Sequence, residues 1–470
     1  MSFMDFVSVA VKKTAYTACS KSRREEEPVF PDAVKTVLTG KDGYNVGFAV
    51  KNITPENLLS HTYWMAGYGI AKKITGFLDP LTVSAMWIDC DCGGIVLVSC
   101  DLIGLTGCDV NKIRDSLSGF CRVTGCKHIS ISCTHTHAGI DTMGYWGPLP
   151  KTGKDKDFMI AVEQSIGEVC REAYKERKHG SLYYGNILAD GLAHRWRQPY
   201  FCVPLLHRLR FVPDDGSKET WYLNFPAHPN TLGGKNKLLS ADYPCYMRRE
   251  IKMSRDVNVL YSVGAIGAVD IGEVAKDNTE RTMLGGALLG KKALEIENDE
   301  LLAPEIVFSV QKFVIPLDNP VLVLANALRV FSTKKCAAAS LTGAGLISEM
   351  TYISFGKAKI LTMPGETFQE LIYPGGYFNR ENSSTGEAEE VNPTPVTEIF
   401  GDKNLMIFGV TNDMAGYALA RNDFVLHKTQ PFLSRGTDRF GRNHYHETNS
   451  CGINTGDVLI KACKKIKNSL

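Results

Sequence analysis

The sequence predicts a mixed α/β fold, and three observations carry that prediction. Short apolar runs of strand length recur along the chain, they alternate with longer segments of helical periodicity, and no internal repeat organises them. Residues 83–90 and 94–100 read as the first clear strands, continuous apolar runs bounded by turn residues. A helix over 160–177 follows, because Val162, Ile166, Val169 and Ala173 fall at helical spacing. Strands are expected at 182–184, 206–211, 221–226 and 257–263, then a helix over 281–295. Strands at 308–315, 358–363 and 405–410 continue the series, with helices over 321–332 and 458–466. Residues 1–42 form an arm before one main domain at 43–470. Within it Phe3, Phe6, Val7 and Ala10 share one side of a short amphipathic helix, and a linker at 21–31 joins it to the body. Lys12 and Lys13 follow the apolar part instead of preceding it, which is the wrong order for a signal peptide. The stretch 377–397, rich in Asn, Ser, Glu and Pro, reads as a long solvated loop and a lid bordering the site.

Composition narrows the function classes. With 44% hydrophobic residues in 470, a large core is available, and 53 Lys and Arg against 51 Asp and Glu leave no basic field to recruit nucleic acid or an anionic membrane. A small-molecule partner is the expectation, and the oligomeric state is not legible. The longest apolar run, 93–105, is too short to span a bilayer and contains Asp101, so no transmembrane segment is expected. Fourteen cysteines are scattered without a C-x-x-C pair, which favours free thiols and a cytoplasmic location over a disulfide framework.

The motif with most chemical content is Thr134-His135-Thr136-His137-Ala138-Gly139. His128 to Ser132 alternates like a strand, and continuing that period puts His135 and His137 on the face of Ile129 and Ile131. Such a pair is either two metal ligands or two hydrogen-bonded core histidines. His228 follows another strand between Pro226 and Pro229, Glu366 follows a third, and Tyr417 a fourth. Four such strand ends make a metal site more credible than any one does. The stretch Gly285 to Lys292 comes near a phosphate-binding loop but places Lys292 where a hydroxyl is needed and lacks a preceding strand, so nucleotide binding is rejected.

These motifs, taken in order, resemble the neutral (alkaline, non-lysosomal) ceramidase family of zinc-dependent amidases, over nearly the whole chain. Met65 to Gly69, Gly76 to Leu81, Thr134 to Gly139, Ala227-His228-Pro229, Ser240 to Tyr243, Pro364-Gly365-Glu366, Asn412-Asp413 with Gly416-Tyr417, and Tyr445 with Glu447 to Ser450 carry the likeness. The resemblance implies the multilayer α/β catalytic-domain fold of that family, here without its C-terminal immunoglobulin-like domain. It implies zinc (Zn²⁺) ligands His135, His228, Glu366 and Tyr417. It also implies that His137 faces the substrate carbonyl, that Tyr445 is a second active-site tyrosine, and that Arg195 or Arg197 lies near the site. Asp101 and Asp242 are the expected partners behind the histidines. One segment departs from the family. Where ceramidases carry Gly-Asp-Val-Ser-Pro with a catalytic serine, this chain reads Gly267-Ala268-Val269-Asp270-Ile271. The expectation is therefore a zinc-dependent hydrolase of an amide, or of an ester, that works by metal-activated water on a substrate other than ceramide. Asp270 would orient the water or bind a cationic group. The alternative is a ceramidase-like binding or scaffold protein without turnover.

Overall fold

Most strands of this chain are apolar on both faces, and their side-chain alternation divides them between separate cores. In Thr82–Asp89, Val83, Ala85 and Trp87 join one cluster while Met86 and Ile88 join another. Gly94–Cys100 splits the same way, Val96 and Val98 against Ile95 and Leu97, as does Thr220–Phe225, Trp221 and Leu223 against Tyr222. In Ala344–Phe355, Ile353 and Phe355 enter that second cluster while Met350 and Tyr352 face a third. A period of two with both faces buried thus produces four layers in the computed structural model, which describes residues 3–386 and 392–470.

The first layer is helical, with Lys156–Lys175, Tyr243–Ser254 and Asn278–Leu294 laying Val162, Ile166, Met247, Ile251 and Leu289 on the first cluster. Next comes a nine-stranded mixed sheet running from Asn258–Val263 at one edge through Thr220–Phe225, Leu205–Pro213, Lys178–Leu188, Tyr44–Asn52, Thr82–Asp89 and Gly94–Cys100 to Cys126–Cys133 at the other. A six-stranded sheet faces it, ordered Lys35–Thr39, Glu305–Pro316, Ala344–Phe355, Ala358–Thr362, Met406–Phe408, with Lys335–Ala337 paired beside Ala344–Phe355. The C-terminal helix Thr455–Ser469 covers its outer face through Leu459, Cys463 and Ile466. The fold is a mixed α/β fold of several layers, as expected from the sequence. Residues 35–39 pair antiparallel with 305–309, and the N-terminal helix Phe3–Ala18 packs on the helix Pro320–Ala327.

Within the two large sheets, three described pairs of neighbouring strands are parallel: Gly94–Cys100 with Cys126–Cys133, Thr220–Phe225 with Asn258–Val263, and Ala358–Thr362 with Met406–Phe408. Their C-terminal ends meet at a seam between the two sheets. There the Cys133 amide donates to the Val410 carbonyl (3.0 Å), the Asn412 amide to Ile131 (2.9 Å) and the Gly409 amide to Val263 (2.9 Å).

Several elements differ from expectation, among them the strand Tyr44–Asn52 and the helix Gly107–Ser116, for which no element was expected. The helix expected over 321–332 ends at Ala327, and Arg329 follows with φ +58°. The strand Ala344–Phe355 and the helix Tyr243–Ser254 were not anticipated. The first hides its period behind Ser348, Glu349 and Thr351, and the second buries too narrow a stripe to stand out. No helix among the described residues is long and apolar enough to cross a membrane.

The core between the sheets should be intolerant of truncation. Replacing the fully buried Phe355 by Ala should lower the unfolding free energy by about 3–5 kcal/mol, read from denaturant titration, because the rigid flanking sheets cannot close the void.

Candidate metal centre

The strand Cys126–Cys133 stops two residues before His135, which adopts φ +64°. Strand alternation therefore does not bring the two histidines together, contrary to the expectation. A left-handed turn does so instead, held by the His135 amide on the Leu102 carbonyl (2.9 Å) and the His137 amide on Pro229 (2.9 Å). His228 leaves Thr220–Phe225 and lies beside 269–271, its amide donating to the Val269 carbonyl (2.9 Å). Glu366 and Tyr417 come from the other sheet, paired in parallel just beyond Ala358–Thr362 and Met406–Phe408. Gly67 (φ +96°) passes so close to His137 that a Cβ there would stand 2.5 Å from the imidazole, so only glycine fits.

The ring contacts say what this cluster can hold. His135 Nδ1 donates to the Ile103 carbonyl (2.6 Å), and His228 Nδ1 faces the Val269 carbonyl (3.1 Å). These carbonyls fix the Nδ1–H tautomer in the neutral rings, which leaves lone pairs on both Nε2 atoms. Both Nε2 atoms face Glu366 Oε2, at 3.4 Å from His135 and 2.7 Å from His228. Lone pair facing carboxylate is repulsive unless a cation or proton lies between them. Nearby, the buried ring nitrogens of half-buried His137 have no hydrogen-bond partner among the described residues, and ligand atoms of His135, His137 and His228 lie within 4.8 Å of one another. A buried imidazole and carboxylate set of this kind fits a borderline divalent ion such as zinc.

Electrostatics point the same way. Burial, reinforced by His135 and His228, holds His137 well below the ordinary imidazole range, so it is neutral at pH 7. Although burial opposes it, His135 and His228 hold the Glu366 carboxyl well below the usual carboxylate range, and Glu366 in turn raises His228 against its burial, the attraction that a proton or a cation shared between Nε2 and the carboxylate provides. Burial and the Glu366 charge push Tyr417 well up, and burial with Glu366 does the same to Tyr445.

The cluster forms one end of a cavity of about 660 Å³. Tyr445 and Asp270 line it with the histidines, and much of the remaining lining is apolar, including Met143, Trp146, Leu322 and Phe331. Asp270 accepts one hydrogen bond from Asn230 Nδ2 (2.9 Å) and lies 3.9 Å from His228 Nδ1. Neither arginine expected near the site lines this cavity. Arg195 is spent on Glu370 and the Arg197 carbonyl. Arg197 is buried among Asp423, Glu447, His444 and His446, with Nε to Asp423 at 2.9 Å and Nη2 to Glu447 at 2.8 Å. Because side chains alternate there, Trp196 faces the cavity instead, stacked on Tyr445 with the rings 2° from parallel. Asp101 and Asp242 do not back the histidines, since backbone carbonyls take that role. Asp101 pairs with Arg248 and accepts from Thr82, while Asp242 caps Tyr243–Ser254 and holds Thr231. Of the loop expected over 377–397, residues 387–391 lie outside the described residues. Its described flanks do not line the cavity and are tied elsewhere, Ser384 to Asp423 and the Ser383 carbonyl to Arg439.

Sequence reasoning assigned no role to Tyr68, Asn230, Arg435 or His446. The first three line the cavity, and His446 stacks on Tyr445 at 4.0 Å between ring centres. The Gly67-Tyr68 step was the available signal, since a glycine forced by close approach marks its neighbour as facing the same space.

The Arg197 cluster gives a direct test of structural against catalytic arginine. Arg197→Ala leaves two buried carboxylates uncompensated and should cost about 3–5 kcal/mol of stability in thermal or denaturant unfolding, and Arg197→Lys should recover only part of it.

No protein-family profile and no curated protein matches the chain by sequence. Solved structures do match by fold. The neutral ceramidase from Pseudomonas aeruginosa superposes with a TM-score of 0.67 at 15% identity, covering 92% of this chain and 75% of that one. A ceramidase complexed with C2 superposes equally well, TM-score 0.67 at 14% identity, over 91% of this chain and 75% of its own. The chain therefore has a neutral-ceramidase-like fold, as the order of its motifs leads one to expect.

Proposed function

We propose that this protein is a zinc-dependent hydrolase that cleaves an amide, or an ester, of a small molecule with an apolar portion. One observation carries the reading: His135 Nε2 and His228 Nε2 converge on Glu366 Oε2, at 3.4 Å and 2.7 Å, in the wall of a largely apolar cavity. His135, His228, Glu366 and Tyr417 would hold the ion, and the fold shared with ceramidases supports hydrolysis as its use. Zinc in such a site polarises a carbonyl and makes water nucleophilic near neutral pH, so no serine is needed at position 270.

The chain's own groups supply the rest. His137 is neutral and keeps one N–H and one lone pair, both free of protein partners, so it can donate to an oxygen gaining charge or accept a proton from water. Tyr445 stays protonated at neutral pH and can donate to the same oxygen or to the leaving group. Trp196 and His446, stacked against Tyr445, hold its ring, and the Arg197 cluster holds His446 through Nδ1 (2.9 Å). The apolar part of the lining would exclude water and receive the apolar part of the substrate. Fourteen free thiols fit a reducing, cytoplasmic setting.

Two measurements test the reading. Zinc supplied at about a hundredfold above its Kd should stabilise the chelator-treated protein by about 2.7 kcal/mol, and His228→Ala should abolish that gain. Equal stabilisation of the variant would remove His228 from the centre. In hydrolysis assays on medium-chain acyl amides and esters, turnover should vanish with chelation and return with zinc. Tyr445→Phe should lower kcat by about a hundredfold with KM little changed. A protein that binds zinc stoichiometrically yet cleaves none of these would favour the scaffold alternative.

A further inference from the structure

Asp270 stands where the chain departs from its relatives, and its surroundings define a second recognition site inside the cavity. The carboxylate is about one-third exposed, toward the cavity, and only one of its oxygens accepts a hydrogen bond, from Asn230. Among the described residues its sole ion-pair neighbour is His228, met at 3.9 Å on the Nδ1 edge. Glu366 meets His228 on the opposite edge, at Nε2. Asp270 therefore lies on the side of the imidazole away from the metal position, displaced from ligation and from the water that would be activated there. It is close enough to touch a substituent a few bonds from the reacting carbonyl.

Three aromatic rings line the cavity together with this carboxylate. Residues 193–195 pair with 269–271, and the next residue, Trp196, donates its amide to the Ala268 carbonyl (3.3 Å) and turns its indole into the cavity. Tyr445 stacks on that indole with centres 5.7 Å apart. Tyr68 lines the same space edge-on to His137 at 5.0 Å, and beyond burial it is the Asp270 charge that most raises its hydroxyl pKa. Lys72 and Arg435 lie 5.7 Å and 5.9 Å from the Tyr68 and Tyr445 rings, and neither pairs with Asp270. An unpaired carboxylate in a mostly apolar cavity is costly, and aromatic faces beside it attract cations.

We infer that Asp270, with Tyr68, Trp196 and Tyr445, forms a subsite for an alkylammonium group, so that the favoured substrate is an amide of an apolar acid with a diamine or similarly cationic amine. The ammonium would donate to the free Asp270 oxygen and rest against the aromatic faces, combining an ion pair with cation–π contacts that neither a neutral hydroxyl nor a carboxylate in its place can make. The inference rests on the hydrolase reading for the fate of the ligand, not for its binding.

Three octanoyl amides of matched length separate the possibilities: those of ethylenediamine (cationic), ethanolamine (neutral) and glycine (anionic). Their affinities for the zinc-loaded protein are measured by calorimetry and their cleavage by amine release. The cationic amide should bind at least about tenfold more tightly than the neutral one, and Asp270→Asn should erase most of that ratio. Trp196→Leu should reduce the ratio and Trp196→Phe keep part of it, which preserves the test if Asp270→Asn fails to fold. Equal binding of the cationic and neutral amides, preference for the glycine amide, or no binding of the cationic amide would overturn the subsite. Selective binding without cleavage of any amide would sink the hydrolase reading and leave the subsite standing, whereas equal cleavage and equal binding of all three would do the reverse.

Discussion

Everything at this site depends on the seam where the two sheets are joined end to end. His135, His137 and His228 hang from the nine-stranded sheet, Glu366 and Tyr417 from the six-stranded one. Neither sheet alone carries the donor set. They are held together by main-chain bonds between Cys133 and Val410, Asn412 and Ile131, and Gly409 and Val263, supported by Asn224 Nδ2 on the Ile407 carbonyl at 2.9 Å. Because these bonds run between backbones, the spacing across the seam is set with the rigidity of a sheet ladder and not by side-chain packing.

That arrangement carries strain where it is useful. His135, Ala268, Val410 and Asn412 all have positive φ without being glycine, and all lie at or next to the seam. A left-handed L-residue costs about 1–2 kcal/mol, and for β-branched Val410 the crowding is greater. Each of these residues turns the chain sharply just past or just before a strand, which aims a side chain at the cavity or closes the seam. Backbone strain of this sort persists only where surrounding contacts over-determine it, and here the four-layer packing does so.

How much of this could be read beforehand differs by level. Two-sided apolar strands were legible because burial on both faces erases the polar interruptions that would otherwise blur them, and 94–100 matches to the residue. The strand Ala344–Phe355 was not, because several of its inward groups are polar and serve other elements: Ser348 Oγ donates to Asp413 and Glu349 accepts from Arg114. At the site, the residue types His, Glu and Tyr were visible in the order of the motifs, but the reason His135 and His137 share a face was not, since a single left-handed residue overrides strand period. Arg195 and Arg197 show the same limit from the other side. Alternation says that they point together, away from Trp196, and only the tertiary placement of Glu370, Asp423 and Glu447 says into which environment.

The seam also orders events in time. As the chain leaves the ribosome, all but one short strand of the nine-stranded sheet is complete by Val263, with its three histidines in place, yet the carboxylate and both tyrosines belong to segments made much later. A nascent chain can thus build its first sheet before the proposed ion site is complete, and capture of an ion there would have to await docking of the second. Once captured, the ion would act as a clasp across chain segments hundreds of residues apart, limiting the freedom of the unfolded chain much as a long-range cross-link does.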